Sequence, residues 1–80
     1  GPDGIVRDAN FRIYSKTGLG KARDALRPGG ILSVWSAAPD HKFTMRLKES
    51  GFDVEVREVR ARPNNKGPRH TIWFARKRSA

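Results

Sequence analysis

The chain contains no cysteine, which excludes disulfide staples, thiolate nucleophiles and cysteine-based zinc sites. Histidine occurs only as His41 and His70, with no partner at ligand spacing, so the pattern predicts no metal site. No apolar run approaches the roughly 20 residues of a membrane helix, and the first residues lack the apolar core of a secretory leader. That pattern predicts a soluble, cytoplasmic protein. Acidic side chains are scarce, eight against 17 Lys and Arg, for a net charge of +9. The only methionine is Met45 and the chain opens with Gly1-Pro2, so we expect a piece of a longer reading frame.

What is present suits one small, partial domain over 1–80. The 80 residues are 36% hydrophobic and 31% charged, enough apolar material to pack a core and too little chain for a second. The charge is uneven: residues 57–80 hold eight basic side chains and one acidic one. Within that third Arg60, Arg62, Lys66 and Arg69 are candidate contacts for phosphates or other anions, and a small basic nucleic-acid-binding module over 57–78 is one functional reading. Trp73 and Phe74 lie close by, but adjacent strand positions face opposite sides, so at least one belongs to the core.

Leu19, Ala22, Arg23 and Leu26 recur at helical spacing and predict a helix over Thr17 to Leu26, capped by Ser15 or Thr17 and stopped by Arg27-Pro28-Gly29-Gly30. The apolar run Ile31 to Trp35 predicts a central strand covered on both faces, with apolar neighbours that this chain supplies only in part. Pro39-Asp40 caps a helix over roughly 40–50, which Gly51 closes. Phe52, Val54 and Val56 alternate as a strand, and Val59 falls out of phase, which predicts a bulge near Arg57-Glu58. Ala61 to Arg69 reads as a loop, and His70 to Ala75 as a last strand paired through a hairpin. The fold class is α/β, with a strand-helix-strand crossover from Ile31 to Val59 whose strands run parallel.

Several motifs fail on inspection. Thr17-Gly18-Leu19-Gly20-Lys21 lacks the first glycine and the final hydroxyl of a phosphate loop and lies inside the first helix. Gly29-Gly30 precedes a strand, whereas a dinucleotide fingerprint follows one. Ser36, His70 and Asp40 could be assembled into a triad on paper, without any local signature. Asp3 and Asp8 near the start, together with Trp35 at the end of the central strand, are positioned to line a ligand crevice at the C-terminal ends of parallel strands.

Ala25-Leu26-Arg27-Pro28-Gly29-Gly30-Ile31-Leu32 resembles the junction before the fifth strand of class I S-adenosylmethionine-dependent methyltransferases. Gly1-Pro2 with Asn10 to Ser15, Val34-Trp35-Ser36-Ala37-Ala38-Pro39-Asp40, and Lys66-Gly67-Pro68-Arg69-His70-Thr71-Ile72 extend the likeness over nearly all 80 residues. Together they resemble the C-terminal part of bacterial spermidine synthase-like proteins, a branch of that superfamily. The resemblance implies the C-terminal half of a Rossmann-like fold. Ile31–Ser36 would be its fifth strand, Phe52–Arg60 its sixth, and His70–Arg76 a seventh inserted antiparallel between them. It implies transfer of a methyl or aminopropyl group from S-adenosylmethionine or its decarboxylated form to a small-molecule acceptor. The cofactor-binding turn and the catalytic aspartate lie upstream of this stretch in that family, so no catalytic or cofactor residue is carried over and the piece alone should be inactive. Asp3, Asp8, Tyr14 and Trp35 are candidate walls of the acceptor pocket. An unpaired apolar edge on the central strand would also lead the piece to dimerise or exchange strands.

Overall fold

Two side chains set the helix starts. The Ser15 hydroxyl accepts from the Gly18 amide at 3.1 Å, and Asp40 Oδ1 accepts from the Phe43 amide at 3.0 Å, each satisfying an amide that a helix start leaves unpaired. The computed structural model describes residues 4–6, 14–64 and 66–78. In it α1 spans Lys16–Ala25 and α2 spans His41–Glu49, both within a residue or so of the pattern reading. The strands are β1 (Gly4–Val6), β2 (Ile31–Ser36), β3 (Phe52–Arg62) and β4 (Lys66–Lys77). Gly51 takes a left-handed backbone angle, φ +95°, directly after the Ser50 cap of α2, as the C-terminal glycine rule requires. Gly29, φ +77°, lies beyond the Leu26 cap of α1 in a β-turn closed by the Gly30 amide on the Arg27 carbonyl at 2.8 Å.

The chain is mixed α/β. Its sheet has the order β1-β2-β4-β3. β1 pairs with β2 in parallel, and β4 runs antiparallel to both β2 and β3. β2 and β3 therefore share a direction without sharing hydrogen bonds, because β4 lies between them. The pattern reading missed β1, whose three residues are too few to show a period.

Alternation gives each strand two faces. On one, Leu32 and Val34 of β2, Trp73 and Ala75 of β4 and Phe52 of β3 meet Leu19 and Leu26 from the α1 region and Phe43 and Leu47 of α2, all of them buried. Each such large side chain contributes about 1.5–3 kcal/mol on burial. Trp73 is the hub: its ring meets Phe43 edge-on at 5.1 Å, and its indole N–H donates to Thr44 Oγ1 at 2.8 Å. Phe74, the next residue, is half-buried on the opposite face.

Four expectations need correction. The central strand is covered by helices on one face only among the described residues, since α1 and α2 both contribute to the same core. It also has no free edge, because β1 and β4 flank it, so the argument for strand exchange through β2 does not hold. No bulge forms at Arg57-Glu58. The ladder stays in register from Phe52 opposite Lys77 to Arg60 opposite Arg69 and shifts only between Arg60 and Arg62. Val59 consequently points to the face opposite the core, beside Arg57 and across from His70. Finally, the expected loop from Ala61 to Arg69 is mostly strand. Asn64 accepts φ +62° in the turn and Gly67 φ +84° just after it. Gly67 and Pro68, which has no N–H to donate, fall where the register shifts, a place that tolerates both.

Candidate functional site

The β3–β4 hairpin gathers the four candidate anion contacts. Arg60 stands directly opposite Arg69, and Arg62 opposite Lys66, so two like-charged pairs follow one another along the ladder. Such pairs oppose strand pairing, and little relieves them. Arg60 Nη1 donates to the Gly67 carbonyl at 3.1 Å, and Arg69 approaches Glu58 at 3.7 Å. Among the described residues Arg62 and Lys66 form no ion pair. A groove of about 650 Å³ runs along this end of β3, lined by Glu58, Val59, Arg60, Arg62, Asn64 and Arg69.

By alternation Glu58, Arg60 and Arg69 lie on the helix-side face of the hairpin, whereas Val59, across from His70, lies on the sheet face that no described helix covers. There Trp35 and His70 lie with ring centroids 5.9 Å apart, and Ile72 is flanked in register by Trp35 and Arg57. The Arg57 guanidinium sits over the Phe74 ring at 5.7 Å and pairs with Glu55 at 3.0 Å. A second, shallow groove of about 340 Å³ continues past Phe74 to Asp53 and Arg76. His70, Phe74 and Arg57 were not marked as a set by the sequence. The signal was present as strand alternation, but it could be read only once the register of β3 on β4 was known.

The remaining cations of the C-terminal third have structural partners. Lys77 Nζ donates to the Leu26 carbonyl at 2.7 Å, Arg76 reaches the Gly29 carbonyl at 3.5 Å, and Arg78 pairs with Asp53 at 3.0 Å. They fasten the end of β4 to the turn after α1 and to β3.

The candidate walls of an acceptor pocket are not brought together. Asp3 and Asp8 lie outside the described residues. Tyr14 packs on the helix-covered side, its ring 5.8 Å from that of Phe43, and its carbonyl accepts from Arg46 Nη1 at 3.1 Å. Burial pushes the Tyr14 phenol above its ordinary value. Trp35 lies on the opposite face of the sheet. The paper triad is likewise dispersed: Ser36 Oγ accepts from the Ala38 amide, the Asp40 carboxylate is bonded to the cap of α2, and His70 is on the other face from Ser36.

Among the described residues, no three His, Asp or Glu side chains cluster as metal ligands, and no helix is long and apolar enough to cross a membrane. No family model matches the chain, and no curated protein or solved structure matches it either.

Proposed function

We propose that this chain is the C-terminal part of a Rossmann-like, spermidine synthase-like transferase domain that uses S-adenosylmethionine or its decarboxylated form, and that it is inactive alone. The observation that carries the reading is the strand order β1-β2-β4-β3, with the last strand inserted antiparallel between two strands of common direction. Such an insertion cannot come from a simple meander, which would place β3 beside β2. The two helices on one face add support, as does the position of β1 at the end of the sheet, where further parallel strands could continue it.

The described residues do not by themselves fit an adenosyl sulfonium. The junction leaving β2 offers one carboxylate, Asp40, already bonded to the Phe43 amide, and the aromatics Tyr14 and Trp35 stand on opposite faces. No residue here is therefore assigned to the cofactor, and no step of group transfer is derived from it.

Calorimetric titration tests the proposal, with S-adenosylmethionine and decarboxylated S-adenosylmethionine added to this chain and to a version extended upstream in its own reading frame. Binding by the extended chain and none by this one is the expected result, and the preferred ligand would separate methyl from aminopropyl transfer. If neither ligand bound the extended chain, the transferase reading would be withdrawn.

A further inference from the structure

We infer that the outer edge of β3 is a self-recognition surface: a second copy of this chain adds its own β3 antiparallel across a two-fold axis at Val56, joining two sheets into one. The inference is independent of the transferase reading, which would continue the sheet from β1, at the opposite edge.

Among the described residues no strand lies beyond β3, an 11-residue strand at the end of the order β1-β2-β4-β3. The Arg78 amide donates to the Gly51 carbonyl at 3.2 Å and the Lys77 amide to the Gly30 carbonyl at 2.8 Å, so even-numbered residues of β4 turn their backbone groups to β3 and odd-numbered ones to β2. Through the register, Asp53, Glu55, Arg57 and Val59 bond to β4. Val54, Val56, Glu58 and Arg60 therefore present their N–H and C=O groups to the free edge. A row of such groups is a template for another strand. Val56 stands near its middle and, 44% exposed, is one of two exposed large hydrophobics among the described residues.

The side chains decide which strand fits. A two-fold axis at Val56 sets Val56 against its own copy, Val54 against the partner's Glu58 and Phe52 against the partner's Arg60, so the edge N–H groups from Phe52 to Arg60 all meet carbonyls. On the open face Glu55 then stands across from the partner's Arg57, twice over, at the non-hydrogen-bonded positions where side chains approach closest. Glu55 and Arg57 already pair within the strand at 3.0 Å and remain largely exposed, so the two copies close a ring of alternating charge. Other axes fail. At Glu55, Arg57 or Glu58 a charge meets its own copy, and at Val54 Asp53 faces the partner's Glu55. An axis at Val59 opposes Glu58 to the partner's Arg60 but runs into the end of β3 at Arg62, which shortens the overlap. Charges along an edge ordinarily repel an added strand, whereas this order of signs admits a copy of itself in one register.

The test is sedimentation velocity of this chain from about 1 to about 300 µM. It is run in about 0.15 M salt, where a Debye length of about 8 Å screens the net +9 of each copy. One strand pair is smaller than a standard interface of roughly 1,600 Å², so a dimer that dissociates in the micromolar range is expected. Glu55→Arg and Arg57→Glu each place like charges across the axis and should weaken the dimer about tenfold or more. Mixed in equal amounts, the two variants are complementary and should pair with each other at close to the parent's affinity. Val56→Pro removes an amide that only the partner uses, a change edge strands tolerate, and should leave a monomer that circular dichroism shows to be folded. If that variant does not fold, Val56→Lys, which opposes two ammonium groups at the axis, takes its place. A parent chain that stays monomeric throughout would overturn the inference. So would a dimer that these variants leave intact, or a loss in the charge variants that mixing does not restore.

Discussion

Replacing Thr44 with Val tests the contact that ties α2 to the strand carrying the hairpin. Valine keeps the shape of threonine and removes the acceptor of the Trp73 indole N–H, a 2.8 Å bond. Trp73 is 0% exposed, so water cannot replace the lost partner. A buried donor left without an acceptor costs about 1–3 kcal/mol, against a total stability of about 4–12 kcal/mol for a domain of this length. Thr44→Val should lower the melting temperature by roughly 4–8 °C for each kcal/mol lost. The Thr44 hydroxyl also donates to the Asp40 carbonyl at 3.3 Å, and a double-mutant cycle with Trp73→Phe separates the two bonds. Phenylalanine keeps the ring against Phe43 but carries no N–H, so Thr44→Val in that background loses only the weaker bond. Urea unfolding followed by circular dichroism should give a coupling energy of about 1–2 kcal/mol. A coupling below about 0.3 kcal/mol would refute the reasoning, because the indole N–H would then not depend on Thr44.

Two further outcomes follow from particular positions. Gly51→Ala should destabilise by about 1–2 kcal/mol through its left-handed backbone alone. Its added Cβ would also stand 2.5 Å from Arg23 Nε, an atom buried with no hydrogen-bond partner, so the same substitution should cost no more in an Arg23→Ala background. Chemical denaturation of the four proteins checks this, and a neutral Gly51→Ala would sink it. Tyr14 gives a pH dependence. Its phenol is raised above 10.0 by desolvation, so the unfolded chain ionises first. The contribution of the neutral ring is complete below pH 10.0 and is lost as the pH rises through the raised value. Tyr14→Phe should therefore lose less stability than the parent chain over that alkaline range, and identical alkaline unfolding curves would contradict the assignment.

Local chemistry was legible in the residues themselves. Ser15 and Asp40 announce helix starts because a short polar side chain can bond an amide three residues on, and Gly51 announces a helix end, as Gly29 does the β-turn before β2, because glycine enters the left-handed region cheaply. The alternation of Phe52, Val54 and Val56 marked a strand for the same reason, since a strand's faces repeat every second residue. The division between Trp73 and Phe74 was half legible: opposite faces followed from adjacency, but which face was buried did not.

The pairing of distant strands decided the rest. The insertion of β4 between β2 and β3 is a contact across the chain that no local period encodes. It makes Trp73 the hub of the core and leaves Phe74 on the open face. It also placed the misread residues: Val59 needs no bulge because His70 stands across from it on that face. Summed along the sequence, the eight basic residues of the last third looked like one cluster. The tertiary structure separates Arg76, Lys77 and Arg78, held by backbone carbonyls and Asp53, from Arg60, Arg62, Lys66 and Arg69 at the hairpin. Composition determined how much positive charge the protein carries, and only the register of β3 on β4 decided that Arg57 lies over Phe74 on the open face while Arg60 and Arg69 share the opposite one.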